Sequence, residues 1–260
     1  MSTSAKSFSF AVMIPMYNEE VGAEECVRRV CGVLSAIQHR NALIVVNDGS
    51  KDSTAIILQQ LAPEFSQLVI VTHETNKGYG AALRTGGQRA AQDGFDYVLF
   101  MDSDLTNDPE DIPKFVQKME QGYDVIKATR YSHGGATEGV PAYRVSISRI
   151  GNLIAQALFR LPIRDCTNGF RAVRTSILKG IELKANNFSV IMEELFYLKY
   201  AAKSFANVPV VLTDRSEEQR PTSFRYRPGI FYDYLKYPLR SMCREIVLRG
   251  QRALISGGGG

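Results

Sequence analysis

No apolar run in this chain approaches the roughly 20 residues that span a bilayer, so no spanning helix is expected. The first residues, Met1-Ser-Thr-Ser-Ala-Lys-Ser, lack an apolar signal core, and nothing in them points to secretion. Cysteine is scarce: Cys26, Cys31, Cys166 and Cys243 form no Cys-x-x-Cys pair and have no histidine cluster beside them. That argues against structural zinc and against a disulfide framework, and fits a reducing cytosol. No internal repeat and no nucleic-acid-binding module is visible. Two phosphate-binding signatures are also missing. A Gly-x-Gly-x-x-Gly does not follow the first strand, and no glycine-rich loop ends in Gly-Lys-Ser/Thr, which disfavours dinucleotide-dependent hydride transfer and P-loop NTP hydrolysis.

What is present is enough apolar material, 45% of 260 residues, for one sizeable α/β domain with an appendage. The net charge of +4 is unevenly placed: Arg215 to Arg252 holds nine Lys/Arg and four Asp/Glu, a net of +5, leaving about −1 for residues 1 to 214. The same basic segment gathers Phe224, Tyr226, Phe231, Tyr232, Tyr234 and Tyr237. Cations interleaved with aromatics suit an anionic lipid or phosphate surface. Single-stranded nucleic acid is the competing partner for such a surface, and without a recognisable module elsewhere no nucleic acid is expected.

Strands and helices alternate, which predicts βαβ units and a mostly parallel sheet. Strands are expected at Phe8 to Ile14, ended by Pro15, at Ala42 to Val46, Leu68 to Val71, Tyr97 to Met101 and Val125 to Thr129, with a last one at Val208 to Leu212. Helices are expected from Glu19 to Ile37 with Asn18 as cap, from Ser53 to Leu61, after Gly80 to Gln92, and from Pro109 to Gln121. His133 to Gly139 reads as a mobile glycine-rich loop. Ser146 to Leu161 reads as a helix whose stripe of Ile147, Ile150, Ile154, Ala157/Leu158 and Leu161 either packs on the sheet or lies near a membrane surface. Ser189 to Lys203 is a further helix, carrying Glu193 and Glu194.

The apolar strand Tyr97 to Met101 delivers two acids, Asp102 and Asp104, to its carboxyl end, where ligands sit in an open α/β sheet. Both can turn toward one hard cation such as Mg²⁺ or Mn²⁺ carrying a diphosphate; alternatively they are solvated loop acids or a cap for the helix near Pro109. Other strand ends carry polar punctuation too: Pro15-Met-Tyr17-Asn18-Glu19, Asp48-Gly49-Ser50 and Asn76-Lys77-Gly78. Parallel strands bring these loops to one edge, outlining a nucleotide-diphosphate site in which Asp48 accepts from a base or ribose and Gly49 and Gly78 allow close backbone approach.

These segments resemble a known family. Ile14-Pro15-Met-Tyr17-Asn18-Glu19, Val45 to Thr54, Asn76-Lys77-Gly78 and Asp102-Ser103-Asp104 look like the inverting glycosyltransferases of the GT-A fold. Ala128-Thr-Arg130-Tyr, Cys166-Thr-Asn-Gly169-Phe170-Arg171-Ala, Met192-Glu193 and Val208-Pro209 through Asp214-Arg215 resemble, more narrowly, the dolichyl- and polyprenyl-phosphate hexosyltransferases. The resemblance spans about residues 8 to 225. It implies that Pro15, Tyr17, Asn18, Glu19, Asp48, Gly49, Ser50, Lys77, Gly78, Asp102 and Ser103 bind a sugar nucleotide. Asp102 and Asp104 would hold the metal, and Arg130, Arg144, Ser148 and Arg215 would face the transferring or acceptor phosphates. Two positions depart from the family pattern. Thr106 stands where a Gln often adds a metal contact, and Ser216 to Phe224 replaces a short glycine-containing loop.

A phosphate monoester has a second pKa of about 6, so as a nucleophile it needs positioning and charge neutralisation more than a base. Arginines with bidentate reach supply that. An alcohol acceptor would need a base, for which Glu193 is the candidate; otherwise one of Glu193 and Glu194 is a solvated helix acid and the other an arginine's structural partner. Arg164 and Arg171 read as surface pairs. The expected protein is a metal-dependent, inverting hexosyltransferase using a GDP- or UDP-hexose and a polyprenyl phosphate, peripheral on the cytoplasmic face of a membrane. The alternatives are the same donor chemistry on a hydroxyl acceptor and a non-catalytic nucleotide-sugar-binding module. Expected boundaries are a catalytic domain at 7–215, a basic aromatic segment at 216–252 and a flexible tail at 253–260.

Overall fold

The computed structural model describes residues 7–214 and 228–257. Its strands are β1 (Ser9–Met16), β2 (Arg40–Asn47), β3 (Leu68–Thr72), β4 (Tyr97–Phe100), β5 (Val125–Thr129), β6 (Ala136–Glu138), β7 (Arg171–Arg174), β8 (Phe205–Pro209) and β9 (Val211–Thr213). Seven of them form one sheet in the order β3-β2-β1-β4-β7-β5-β8, while β6 and β9 pair separately in parallel. Within the large sheet only β7 runs against its neighbours, β4 and β5. The expectation of a mostly parallel α/β sheet therefore holds. Continuous apolar runs such as Ala42 to Val46 are buried, as strands covered on both faces must be.

Alternation along each strand feeds two cores. Phe10, Val12, Ile14 and Met16 of β1 join Leu43 and Val45 of β2 beneath α1 (Ala23–Ser35), α2 (Thr54–Leu61) and α4 (Ile112–Glu120). Ala11, Met13, Ile44 and Val46 face the other layer. That layer holds α3 (Tyr79–Gln92), α5 (Ala142–Phe159) and α7 (Val190–Ala201). The short α6 (Thr175–Leu178) follows β7, and α8 (Pro228–Gly257) packs on α5 and α7 through Tyr237, buried in the second core.

Several expected boundaries move for physical reasons. β1 continues through Pro15 to Met16, because β4 pairs with β1 only as far as Met13 and no ladder bond is lost at the proline. Asn18 is not a helix cap: it takes a left-handed φ of 53°, a turn follows, and α1 begins only at Ala23. The 133–139 loop is not free, since residues 136 to 138 form β6 on β9. The last strand is split, β8 staying in the main sheet and β9 leaving it. α8 runs on to Gly257, into the stretch read as a flexible tail. α5 buries Asn152, Ala155 and Phe159, a different face from the isoleucine stripe, and leaves Ile150 59% and Ile154 42% exposed.

Candidate functional site

The carboxyl ends of β1, β2, β3 and β4 converge, and their loops are latched to one another before any ligand is considered. Asn18 N–H donates to Ser50 Oγ at 3.0 Å, and Lys51 N–H donates to Asn18 Oδ1 at 2.8 Å. Glu19, buried, donates its N–H to Thr54 Oγ1 at 2.9 Å. Asn18 and Ser50 thus join the first two loops, with Tyr17 half-buried between Met16 and Asn18.

Asp48 is the hub of the next two loops. Its Oδ1 receives His73 Nδ1 at 2.6 Å and Lys77 N–H at 2.9 Å, and its Oδ2 receives Gly78 N–H at 2.8 Å. His73 Nε2 meets Thr85 Oγ1 at 2.9 Å. Each carboxylate oxygen has two lone pairs, so Oδ1 is fully used and the remaining capacity to accept is at Oδ2. At the two glycines of this edge the space a side chain would need is already taken. A Cβ on Gly49 (φ +70°) would lie 2.4 Å from the Thr75 carbonyl carbon, and one on Gly78 (φ +94°) 2.5 Å from Asn186 O. These glycines admit neighbouring loops of the same chain.

At the end of β4, Tyr79 OH donates to Asp102 Oδ1 at 2.9 Å, and the Asp102 carboxylate lies close to Gly169, where a Cβ would come within 3.2 Å of Oδ2. Burial, and then the Asp102 charge, push the Tyr79 phenol well above its ordinary 10.0, so it stays a donor. Asp104 Oδ1 accepts from Thr106 Oγ1 at 2.8 Å and from Thr106 N–H at 3.2 Å, across Leu105 in a left-handed conformation. Ser103 between them is buried. Thr106, which replaces the expected Gln, therefore orients Asp104, and its carbonyl accepts from Thr213 N–H of β9 at 3.0 Å. Among the described residues there is no cluster of three or more His, Cys, Asp or Glu able to cage a metal. Two carboxylates suit a Mg²⁺ or Mn²⁺ that takes its remaining ligands from phosphate and water.

After β5, Arg130 grips buried Asp165, Nε to Oδ2 at 2.7 Å and Nη2 to Oδ1 at 3.0 Å, and also donates to Thr167 Oγ1 at 2.7 Å. Burial alone would raise Asp165, but the Arg130 charge and hydrogen bonds, helped by Lys127, bring it below its ordinary 3.8. One edge of the Arg130 fork is therefore structural. Tyr131 OH and Ser148 Oγ meet at 3.2 Å, tying the loop after β5 to α5, whose first turn carries Arg144 beside Tyr143 OH at 3.2 Å. Arg130, Arg144 and Ser148 are thus brought to one region, and Arg215 lies outside the described residues.

Glu193 is not a base facing an acceptor. It is 3% exposed, and its Oε2 accepts from Lys184 N–H at 2.9 Å and Ala185 N–H at 2.8 Å. Arg171 is not a surface residue: it is fully buried and forks onto Glu194, with Nε to Oε1 at 2.5 Å and Nη2 to Oε2 at 2.7 Å. Lys127, also fully buried, donates to Asn168 O, and burial lowers it to about 8. His73, Tyr79, Asp165 and Lys127 were not singled out in the sequence. His73 is two residues beyond the expected third strand and Asp165 directly precedes the Cys166 motif, so sequence position alone could have flagged them; Tyr79 and Lys127 carry no such signal.

The sheet order and the acid pair after β4 define a sugar-nucleotide-transferase type of α/β fold. The chain belongs to glycosyl transferase family 2, matched over residues 11–181. It is similar to a dolichol-phosphate mannosyltransferase of Pyrococcus furiosus, 30% identical over 89% of this chain and 63% of that one. It is also similar to an undecaprenyl-phosphate 4-deoxy-4-formamido-L-arabinose transferase of Pseudomonas savastanoi, 32% identical over 84% of this chain and 60% of that one. The chain thus spans about six-tenths of the length of these relatives. In fold it resembles glucosyl-3-phosphoglycerate synthase from Mycobacterium tuberculosis, solved with Mn²⁺, UDP and phosphoglyceric acid, with a TM-score of 0.59, 21% identity, and coverage of 93% of this chain and 78% of that one. The GT-A expectation is met.

Proposed function

We propose that the protein transfers a hexose, with inversion, from a GDP- or UDP-hexose to a polyprenyl phosphate at the cytoplasmic face of a membrane. The observation that carries this reading is the convergence of the latched loops on Asp102 and Asp104 at the carboxyl end of β4. Relatives named for transfer to dolichyl and undecaprenyl phosphate support the acceptor.

Asp102 and Asp104 would hold a Mg²⁺ or Mn²⁺, which when bound supplies positive charge against the departing nucleoside diphosphate. Asp48 keeps the Lys77-Gly78 turn in place through its two N–H acceptors, so that turn is pre-shaped for the donor. Pro15, Tyr17 and Glu19, at the end of β1 on the same edge, are assigned to the nucleoside. Arg130, Arg144, Ser148 and Arg215 are assigned to the acceptor phosphate, neutralising it and aligning its oxygen with the anomeric carbon. The burial of Glu193 among its own hydrogen bonds favours a phosphate, which needs no base, over a hydroxyl acceptor.

No helix among the described residues is long and apolar enough to cross a membrane. Tyr143, Ile150, Leu153 and Ile154 of α5 and Tyr232, Leu239, Ile246 and Val247 of α8 are nevertheless exposed, with Arg149, Arg240 and Arg244 exposed among them. Such a face suits peripheral binding, each cation adding about 1 kcal/mol near anionic lipid.

The test is nucleoside diphosphate release from a panel of GDP- and UDP-hexoses with a short polyprenyl phosphate and Mg²⁺ or Mn²⁺. Metal-dependent release that falls by about 100-fold or more in Asp104→Ala is expected. No release with any donor overturns the proposal, and release with a hydroxyl acceptor alone overturns its acceptor.

A further inference from the structure

We infer that Tyr79 is a positioning residue for the donor site: its phenol fixes the Asp102 carboxylate, and through it the 184–188 loop, clamped by α7 and α8, governs how Asp102 is presented. This rests on the reading of Asp102 as a contact for a metal-bound diphosphate.

Tyr79 opens α3 between two glycines that cannot be replaced without moving backbone. A Cβ on Gly78 would stand 2.5 Å from Asn186 O, and one on Gly80 2.1 Å from Ala185 O. Gly80 N–H donates to Asn186 O at 2.9 Å, so the loop sits directly on the first turn of α3. From that turn the Tyr79 side chain reaches β4, its hydroxyl 2.9 Å from Asp102 Oδ1. Phe188 covers the ring at a centroid distance of 4.6 Å and an interplanar angle of 31°. Opposite, Gly169 leaves room for the carboxylate, because a Cβ there would come within 3.2 Å of both Asp102 Oδ2 and Tyr79 OH. Asp102 therefore lies between a phenol and a bare backbone, and one oxygen is oriented from the protein side.

The loop that carries Phe188 is itself held from three directions. Glu193 Oε2 takes the N–H groups of Lys184 and Ala185, and Arg84 Nη1 donates to Ala185 O at 2.6 Å. Asn187 Nδ2 donates to Asp233 Oδ2 of α8 at 3.1 Å, and Tyr237 of α8 is buried in the same core as α7. This gives Glu193 a positioning role behind Tyr79 instead of a proton-transfer role. It also gives the helix with the exposed apolar and basic residues a mechanical path to the acid pair.

The test is Mn²⁺ affinity in the presence of GDP or UDP, read by electron paramagnetic resonance of the free ion, alongside the donor KM. Tyr79→Phe keeps the ring and its stacking on Phe188 and removes only the hydroxyl. It is expected to weaken Mn²⁺ about tenfold or more. Metal-free nucleotide affinity should be unchanged, and the loss of one hydrogen bond should shift the unfolding midpoint by only a few degrees, on the order of 5 °C. Phe188→Leu, which removes the ring that covers Tyr79, should weaken Mn²⁺ in the same direction by less. Wild-type Mn²⁺ affinity in Tyr79→Phe overturns the inference; if that variant does not fold, an unaltered affinity in Phe188→Leu does so. A wild-type protein whose nucleotide binding ignores metal overturns the donor-site reading itself, and with it the inference.

Discussion

Arg171 and Glu194 face each other with no solvent exposure on either side chain, at the join between the antiparallel strand and α7. Burial works against the guanidinium charge, yet Glu194 holds Arg171 above its ordinary 12.5. Removing one partner strands a buried charge, so Glu194→Gln is expected to cost about 3–5 kcal/mol in urea unfolding, while the paired change Arg171→Met with Glu194→Leu should recover most of it. A loss below about 1 kcal/mol in the single variant would mean that water reaches the pair. At the donor edge, Gly78→Ala must strain a positive φ and displace Asn186. It is expected to raise the donor KM about tenfold or more by shifting the Lys77 and Gly78 N–H groups off Asp48, measured by steady-state kinetics. Residue identity at this edge was legible because polar punctuation after apolar strands is a local pattern. What each residue touches was not: Asp48, Asn18 and Ser50 bond to loops 25 to 33 positions away in the chain, and spacing does not encode those partners.

At the level of elements, α5 shows where periodicity stops being informative. A stripe of Ile147, Ile150 and Ile154 says that one face is apolar, but the same 3.6-residue period serves a core and a lipid surface equally. The tertiary structure uses Asn152, Ala155 and Phe159 for packing, with Asn152 Nδ2 donating to Arg164 O and its Oδ1 accepting from Cys166 N–H. Ile150 and Ile154 are left outward. Ile150→Glu with Leu153→Glu is accordingly expected to leave thermal unfolding nearly unchanged and to abolish cosedimentation with vesicles rich in anionic lipid; unchanged cosedimentation would remove α5 from the proposed membrane face. Strands were easier to place. β1 and β2 are buried on both faces and read as continuous apolar runs, whereas β6, β7 and β9, at three or four residues, are too short to produce a period.

For the whole molecule, burial sets the response to alkali. Cys31 and Cys166 are pushed up to about 12 from 9.0, and Tyr97 and Tyr237 to about 12 from 10.0, in each case chiefly by burial. The unfolded chain releases these protons first, so stability falls as pH rises from about 9 toward about 12. Lys127, lowered to about 8 from 10.5, works in the opposite sense, because the folded chain releases its proton first and stability rises between those values. Lys127 acts alone between about pH 8 and about pH 9; above that the buried thiols and phenols outweigh it, and the urea midpoint under reducing conditions is expected to drop between about pH 9 and about pH 10.5. Lys127→Met should steepen that drop, and a flat profile would contradict the burial of these groups. The sequence by itself determined the βαβ alternation, the parallel sheet and the edge at which the acids stand, since these depend on short-range period and punctuation, while the family was legible through the resemblance of its motifs. Only the tertiary structure decided that Glu193 is a loop clamp, that Arg171 is interior, that Thr106 and Tyr79 orient the acid pair, and that Ile150 and Ile154 of α5 face out. Each of those depends on contacts between distant segments, which exist only once the sheet has brought the segments together.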